Sequence, residues 1–185
     1  MNIEEREREK YKKMWALSEY RQYSPGLSAA PIFLKYAEWS AEDTLLDVGC
    51  GTGRAGLALT YANLEVTLLD FCKEALEVVS LPFINMPIWN LLEQEKNWDW
   101  LFCVDVLEHI PPELVHKTLR AMYLVNNKGG LLQIATFPDS CGRLINDELH
   151  LSIHPVSWWK LLISSFWRIE VDLSTEAWAR FIVTV

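Results

Sequence analysis

The chain lacks the features that mark several large classes of protein. No apolar run approaches the roughly 20 residues needed to cross a bilayer, and the N-terminal residues lack the apolar core of a signal peptide. The four cysteines are scattered without a C-x-x-C pair, which argues against the common zinc spacings and gives no disulfide framework. We therefore expect a cytoplasmic protein with free thiols and no membrane partner.

Basic residues are also few. Lys and Arg total 17 against 25 Asp and Glu, the net charge is −8, and no run of five or more basic residues occurs. Because nucleic-acid affinity rests largely on Lys and Arg meeting phosphates, this balance argues against a nucleic-acid partner. Tryptophan, by contrast, is abundant: nine in 185 residues predict a pocket with apolar or ring-shaped contents besides the core.

The most informative segment is 44–54, where an apolar run ends in an acid and then meets glycines spaced two apart. Glycine accepts positive φ and lets a ligand approach the backbone closely. The segment therefore predicts a buried strand, a tight turn and a helix start that cradle a cofactor. Residues 51–56 also satisfy G-x-G-x-x-G, so the turn by itself leaves a nicotinamide cofactor open. The acid and the glycines are Asp47, Gly49, Gly51 and Gly53.

Strand and helix patterns alternate through the rest of the chain. Residues 174–178 are too few for a helical crossover, so the last two strands should pair antiparallel. We predict a single-domain α/β fold: a doubly wound, seven-stranded, mostly parallel sheet with an antiparallel last strand and helices on both faces. An N-terminal helical extension over 1–40 should precede the main domain over 41–185. Strands are predicted near 44–49, 65–70, 83–88, 99–105, 129–137, 166–173 and 179–185. Helices are predicted near 2–20, 29–39, 53–62, 73–80, 112–125 and 155–165, with a short irregular segment near 91–97.

Several motifs, in order along the chain, carry a family resemblance. Asp-x-Gly-x-Gly-x-Gly at 47–53 resembles the first motif of class I S-adenosylmethionine-dependent methyltransferases. The run Asp-Val-Leu-Glu-His-Ile-Pro at 105–111 resembles the fourth-strand signature of the small-molecule members. Residues 128–136 resemble the turn into the fifth strand, and 150–159 together with 166–171 resemble the segment that follows it. The resemblance implies a Rossmann-like methyltransferase that uses S-adenosylmethionine.

The resemblance also implies roles for residues at predicted strand ends, where ligands of doubly wound sheets bind. The glycines would contact the methionine and ribose portion, and Asp47 would orient the loop or face the amino group. Asp70 would accept from the ribose hydroxyls, although it could instead cap the next helix. Asp105 and Val106 would lie under the sulfonium and adenine edge, and Asn90 would accept from the adenine amino group. The full predicted set is Asp47, Gly49, Cys50, Gly51, Gly53, Asp70, Phe71, Asn90, Asp105 and Val106.

Methyl transfer from a sulfonium needs proximity, alignment and an apolar wall more than acid–base chemistry. A base would assist a hydroxyl or amine acceptor, and His109 and His150 are the catalytic candidates, with His154 a weaker one. His109 could instead only close the turn after its strand. The histidines and acids of 147–154 do not share a helical face, so no metal site is predicted.

The expected function is therefore methyl transfer to an oxygen or nitrogen atom of a small-molecule acceptor. Tyr11, Tyr20 and Tyr23 belong to the N-terminal extension, which would act as a lid over the cofactor or only cover the sheet edge. The alternatives are a methyltransferase acting on nucleic acid or protein, and a non-catalytic S-adenosylmethionine-binding module. The only feature that favours an NAD-linked oxidoreductase is the G-x-G-x-x-G match over 51–56.

Overall fold

The computed structural model of the chain describes residues 2–185. Within that range seven strands form one sheet in the order β3-β2-β1-β4-β5-β7-β6. The first five strands run parallel, and β7 lies antiparallel between β5 and β6. The predicted seven-stranded α/β sheet with an antiparallel last strand is thus confirmed. The strands are β1 (Thr44–Val48), β2 (Glu65–Asp70), β3 (Phe83–Asn85), β4 (Trp98–Val104), β5 (Asn126–Ala135), β6 (Arg168–Asp172) and β7 (Trp178–Thr184).

The α-helices flank the sheet and precede it. The single helix predicted over 2–20 is broken at Leu17, whose backbone is extended, and the break folds the Tyr20 ring back to 4.7 Å from that of Trp15. Among residues 2–185, none of the helices combines the length and apolar character that a bilayer crossing requires. The helices are α1 (Ile3–Trp15), α2 (Ser18–Arg21), α3 (Pro25–Tyr36), α4 (Arg54–Thr60), α5 (Pro112–Leu124) and α6 (Val156–Ile163).

The helix predicted over 73–80 is wrong. Only a 3₁₀ turn forms, over Lys73–Ala75, and the chain then runs extended. The backbone N–H groups of Glu77 and Val78 both donate to the Thr52 carbonyl, at 3.1 and 3.2 Å, instead of to a helix. Hydrogen bonds and packing against the glycine loop therefore override a weak local helix preference.

The third-strand region also differs from the prediction. β3 is shorter than 83–88, and a 3₁₀ turn over Ile88–Glu93 occupies the start of the segment predicted as irregular. Pro87 precedes that turn and has no N–H to donate to a longer ladder. Asn90 consequently lies in the turn rather than at a strand end, and its Oδ1 accepts from Lys117 Nζ at 3.0 Å.

The strand register brings the acid-tipped strands to one edge of the sheet. Val48, the last residue of β1, lies opposite Leu69 of β2 and Cys103 of β4. The three strands therefore end at the same level. β1 is buried on both faces, because Leu45 packs into the core against α3 and α4 while Leu46 packs into the core against α5 and α6. A rigid, two-sided core thus holds the edge where ligands of such sheets bind.

Candidate functional site

Two connected cavities open at this carboxyl edge. An inner cavity of about 90 Å³ lies between the carboxyl ends of β2 and β4 and helix α1, and an outer cleft of about 530 Å³ runs along the glycine loop. The two share part of their walls, so one elongated ligand can extend from one into the other. The shared residues are Trp15, Tyr20, Gly49, Asp105 and His109.

The inner cavity has mainly apolar and aromatic walls, and its lining includes the acids Glu7, Asp70 and Asp105. Phe71, Ile88, Trp89 and Val106 line it together with Asp70. The Phe71 and Trp89 rings lie 6.3 Å apart between centroids. Such a cavity suits a flat ring joined to a group that donates hydrogen bonds.

Asp70 anchors the glycine loop. Its Oδ2 accepts from the Gly51 N–H at 2.9 Å and its Oδ1 from the Cys72 N–H at 2.8 Å. Burial raises the pKa of Asp70 to about 6. A carboxylate has about four lone-pair sites, so these two bonds leave acceptor capacity for a ligand in the cavity. The alternative role as the cap of a following α-helix is removed, because only a 3₁₀ turn follows it.

The glycine loop folds tightly against the end of β2. The N–H groups of Gly49 and Cys50 both donate to the Leu69 carbonyl, at 2.8 and 2.9 Å. Gly49 has φ +69°, and a Cβ there would meet the Val106 side chain. Gly51 has φ +52°, and a Cβ there would lie 3.0 Å from the Trp15 ring. A side chain at either position would therefore strain the backbone and crowd the cavity walls.

The outer cleft runs from the glycine loop to an aromatic wall formed by Phe137 and Trp178. Asp47 lies at its base, and burial raises the pKa of that carboxyl to about 7. Asp139 also lines the cleft, and its carboxylate accepts from backbone N–H groups including that of Gly142 at 2.7 Å. The cleft therefore combines apolar surface with more than one carboxyl group.

The charge of the lining has one sign. Across both cavities, the residues that the structure describes include no Lys or Arg in the lining, whereas acids recur. A low-dielectric cleft focuses the field of such groups and favours a cationic ligand over an anionic one. The acids are Glu7, Asp47, Asp70, Asp105 and Asp139.

Asp105 and Glu108 form a buried acid pair beside the cavities. Asp105 has φ +58°, an uncommon conformation for a residue other than glycine, and its N–H donates to the Gln133 carbonyl at 3.0 Å. Glu108 Oε1 accepts from the Ala135 N–H at 2.8 Å. Burial raises the pKa of both carboxyl groups, which lie within hydrogen-bond reach of each other. Such a pair needs a shared proton or a cation between its members.

The two candidate catalytic histidines lie together, 41 positions apart in sequence. The rings of His109 and His150 meet edge to face with centroids 4.7 Å apart. Nδ1 of His150 donates to the Phe137 carbonyl at 2.7 Å, which leaves Nε2 with the lone pair. Burial, followed by the charge of His150, lowers the pKa of His109 to about 3, so this ring stays neutral. His154 instead stacks on Trp158 at 3.7 Å.

Helix α1 covers the inner cavity. The Tyr11 hydroxyl lies 2.6 Å from Nδ1 of His109, and Lys10 Nζ donates to the Glu148 carbonyl at 2.9 Å. The Arg8 guanidinium donates to the Phe71 carbonyl and lies over that ring. The helix is therefore tied to both sides of the cavity, across the carboxyl edge of the sheet.

Most of the predicted site residues come together here, but not all of them. Gly53 and Asn90 line neither cavity: Gly53 has φ +79° and directly precedes α4, and the Asn90 side chain accepts from Lys117. The sequence missed wall residues from α1, the glycine loop, the loop after β5 and the start of β7, because nothing local marks them as ligand-facing. The predicted residues that line a cavity are Asp47, Gly49, Cys50, Gly51, Asp70, Phe71, Asp105, Val106, His109 and His150. The missed ones include Glu7, Trp15, Thr52, Phe137 and Trp178.

Replacing Tyr11 by phenylalanine should destabilise the protein by about 1 kcal/mol, the net contribution of one buried hydrogen bond. The ring would still pack against Phe71, 5.6 Å away, so only the bond to His109 is lost. Thermal unfolding of the two proteins measures the change. Tyr61→Phe is the matched control, because Tyr61 is 85% exposed and should leave stability unchanged. Equal stability of all three proteins would contradict the assignment.

Comparison with known proteins identifies relatives of this domain. A family model described as a methyltransferase domain matches residues 45–130. The ubiquinone biosynthesis O-methyltransferase of Proteus mirabilis is 28% identical over 128 residues, which are 60% of this chain and 51% of that protein. The Bordetella avium enzyme of the same name is 28% identical over 102 residues, 50% of this chain and 42% of that protein. The chain thus spans about half the length of the curated relatives it matches.

Solved structures with the same fold extend over nearly the whole chain. A protein from Pyrococcus horikoshii superposes with a TM-score of 0.71 at 16% identity, covering 92% of each chain. The magnesium protoporphyrin IX methyltransferase of Synechocystis, crystallised with bound SAH, superposes with a TM-score of 0.66 at 16% identity. That alignment covers 89% of this chain and 83% of the other. At these identities the likeness establishes the fold.

Proposed function

We propose that this chain, which belongs to the class I S-adenosylmethionine-dependent methyltransferases, transfers a methyl group to an oxygen or nitrogen atom of a small-molecule acceptor. The observation that carries the proposal is the charge of the cavities. S-Adenosylmethionine has a sulfonium and an ammonium group against one carboxylate, so its net charge is positive. The lining, acidic and without Lys or Arg in the described part of the chain, favours that ligand electrostatically.

The same charge argues against the nicotinamide alternative. NAD carries a diphosphate, which proteins hold with backbone N–H groups or basic side chains. Here the Gly51 N–H donates to Asp70, and the N–H groups of Gly49 and Cys50 donate to Leu69. Those donors are therefore already used within the protein. The basic side chain within the match over 51–56, Arg54, lines neither cavity and is paired with Glu77 at 2.6 Å.

The two cavities suit the two ends of the cofactor. In our proposal the adenine lies against Trp89 and Val106, and its ribose hydroxyls donate to Asp70 at the edge of the inner cavity. The methionine end then extends past Gly49 into the outer cleft, where its positive charges would favour the ionised forms of Asp47 and Asp105 over the protonated forms that burial promotes. The extent of the joined cavities and the order of their lining residues support this orientation.

The part of the outer cleft that binds the methyl acceptor determines which acceptors can react. Methyl transfer is an in-line displacement, for which proximity and alignment supply most of the rate enhancement. We assign acceptor binding to the aromatic wall of Phe137 and Trp178, with His150 beside it. His150 Nε2 bears a lone pair and can take the proton of an acceptor hydroxyl or amine. Trp15 of α1 and Tyr20 of α2 border the cleft and narrow it, which supports a small acceptor rather than a macromolecule.

We further propose that residues 1–40 act as a lid on the 41–185 domain. The bonds from Lys10 and Tyr11 to the far side of the cavity would have to open for cofactor to enter. A closed lid excludes water and aligns the reactants. We also assign the protein to the cytoplasm, since its cysteines are free, as is usual in a reducing compartment.

Calorimetric titration of the purified chain with S-adenosylmethionine, and separately with NAD, tests the cofactor assignment. We expect micromolar binding of S-adenosylmethionine at one site per chain and no binding of NAD. Incubation with radiolabelled cofactor and a panel of phenols and amines then tests turnover. Binding of NAD alone would refute the proposal. Label that appears in RNA or protein fractions, and not in small molecules, would refute the acceptor class.

Cofactor affinity should fall as the solution becomes acidic. In the free protein the pKa of Asp70 is about 6, raised by burial, so the group is protonated below that value and ionised above it. The ribose hydroxyls need the ionised form, so binding is coupled to loss of this proton. Asp70 alone should make the affinity about tenfold weaker at pH 5 than at pH 8. Dissociation constants measured across that range, with Asp70→Asn as the variant that should have a flatter profile, check the assignment.

A further inference from the structure

We propose that Glu108, His109 and His150, the Glu-His-His cluster, bind a divalent transition-metal ion at the acceptor side of the cleft. One carboxylate oxygen of Glu108 and one ring nitrogen of each histidine lie within 4.8 Å of one another. Two imidazoles and one carboxylate form a donor set suited to Zn²⁺, Mn²⁺, Fe²⁺ or Co²⁺. The sequence predicted no metal site, because its motifs do not indicate that these three residues meet.

Backbone carbonyls orient both rings for this role. His150 Nδ1 lies 2.7 Å from the Phe137 carbonyl. His109 Nδ1 lies 3.1 Å from the Leu149 carbonyl and 2.6 Å from the Tyr11 hydroxyl oxygen, which can also accept its proton. A carbonyl oxygen only accepts, so each Nδ1 carries the proton and each Nε2 keeps its lone pair. Metal-bound histidines are commonly held in this way, with the second ring nitrogen donating to a carbonyl. Two independent carbonyls fix the same tautomer in the two rings.

The carboxylate of the cluster lacks a neutralising partner. Glu108 is fully buried; its Oε1 accepts from the Ala135 N–H, but its Oε2 has no hydrogen-bond donor among residues 2–185. Asp105 Oδ1 is in the same situation, and the two carboxyl groups lie within reach of each other. Buried charges are paired, protonated or bound to metals. A cation bound to Glu108 beside two neutral imidazoles would compensate this buried negative charge.

The position of the cluster gives the ion a function, an argument that rests on the proposed methyltransferase activity. Asp105, His109 and His150 line the outer cleft where the acceptor should bind. An ion there would bind the acceptor oxygen and lower the pKa of its hydroxyl. The hydroxyl proton leaves to solvent and the oxygen forms a bond to the methyl carbon. The carbon–sulfur bond breaks with its electron pair remaining on sulfur, giving the neutral thioether. The histidines then act as ligands, and the acceptor is a hydroxyl compound.

Calorimetric titration of the chelator-treated full chain with Co²⁺, Mn²⁺, Zn²⁺ and Mg²⁺, without cofactor, tests the site directly. We expect one ion per chain, with Zn²⁺ and Co²⁺ bound more tightly than Mg²⁺. Bound Co²⁺ should give visible absorption bands that report nitrogen and oxygen ligation. Substitution of a residue that only hydrogen-bonds to a metal ligand already weakens metal binding by about tenfold or more. Glu108→Gln and His150→Ala remove ligands themselves, so each should weaken binding at least about tenfold.

His116→Ala is the matched control, since His116 is an exposed histidine on α5 and should leave metal binding unchanged. Thermal unfolding of each variant checks that it is folded, and Glu108→Gln preserves the side-chain shape. Absence of stoichiometric binding would overturn the proposal and leave the acid pair with a shared proton. Binding that survives in both cluster variants, or is lost in His116→Ala, would also overturn it. Titration of the same samples with S-adenosylmethionine keeps this failure separate from failure of the proposed function.

Discussion

Replacing Asp70 by alanine is expected to weaken S-adenosylmethionine binding at least about 100-fold. In our proposal the carboxylate accepts from two ribose hydroxyls, and hydrogen bonds to a charged group contribute about 1.5–3 kcal/mol each. Each 1.4 kcal/mol corresponds to a tenfold change in affinity. The substitution also releases the Gly51 N–H, 2.9 Å from the carboxylate, so the glycine loop loses its anchor. Calorimetric titration of the variant measures the effect.

Asp99→Ala is the control for this experiment. Asp99 also accepts from a backbone N–H, that of Thr44 at 3.0 Å, and from the Thr44 hydroxyl at 2.9 Å. It lies at the opposite edge of the sheet, where β1 and β4 begin, so its loss should lower stability without changing cofactor affinity. If Asp70→Ala bound the cofactor as the unmodified protein does, the ribose assignment would be wrong.

Replacing His150 by alanine should lower the turnover number by a factor of about 10²–10⁴, the usual contribution of a positioned general base. We expect the same decrease in turnover if His150 holds a metal ion, because a general base and a bound metal ion both promote loss of the acceptor proton. The affinity for S-adenosylmethionine should stay within about twofold, since the ring lines the outer cleft on the acceptor side. Single-turnover rates with an identified acceptor, together with cofactor titration, measure both quantities.

His154→Ala serves as the paired control, because His154 stacks on Trp158 and lines neither cavity. It should keep the turnover number of the unmodified protein. Full activity in His150→Ala would contradict a role for this residue in the reaction. Equal loss of cofactor binding and turnover would instead indicate that the substitution disturbs the cofactor end of the cleft.

Local pattern predicted the parts of the fold whose cause is local. An acid lies at the carboxyl end of each of β1, β2 and β4, namely Asp47, Asp70 and Asp105. Parallel strands that end at the same level bring such residues to one edge of the sheet. The short 174–178 connection indicated the antiparallel β6–β7 pair. Spacing, strand period and loop length were sufficient for these features, because each acts over a few residues.

The predictions that failed lie where tertiary contacts outweigh local preference. The helix near 73–80 does not form, because the Thr52 carbonyl takes the N–H groups of Glu77 and Val78. Asn90, predicted to lie at a strand end, lies in a 3₁₀ turn after Pro87, where its side chain accepts from Lys117. The hydrophobic pattern within either segment could not predict these hydrogen-bond partners, because they come from other parts of the chain.

The sequence by itself determined the sheet, the glycine turn and the acids at the strand ends, since strand hydrophobicity, glycine φ and loop length fix them locally. Tertiary structure alone decided that α1 covers the inner cavity, with Tyr11 bonded to His109. It also decided that Glu108, His109 and His150 meet, and that the lining of both cavities is acidic in the described chain. The physical reason is that these contacts join segments far apart in sequence, and only packing of the whole chain selects which of them meet.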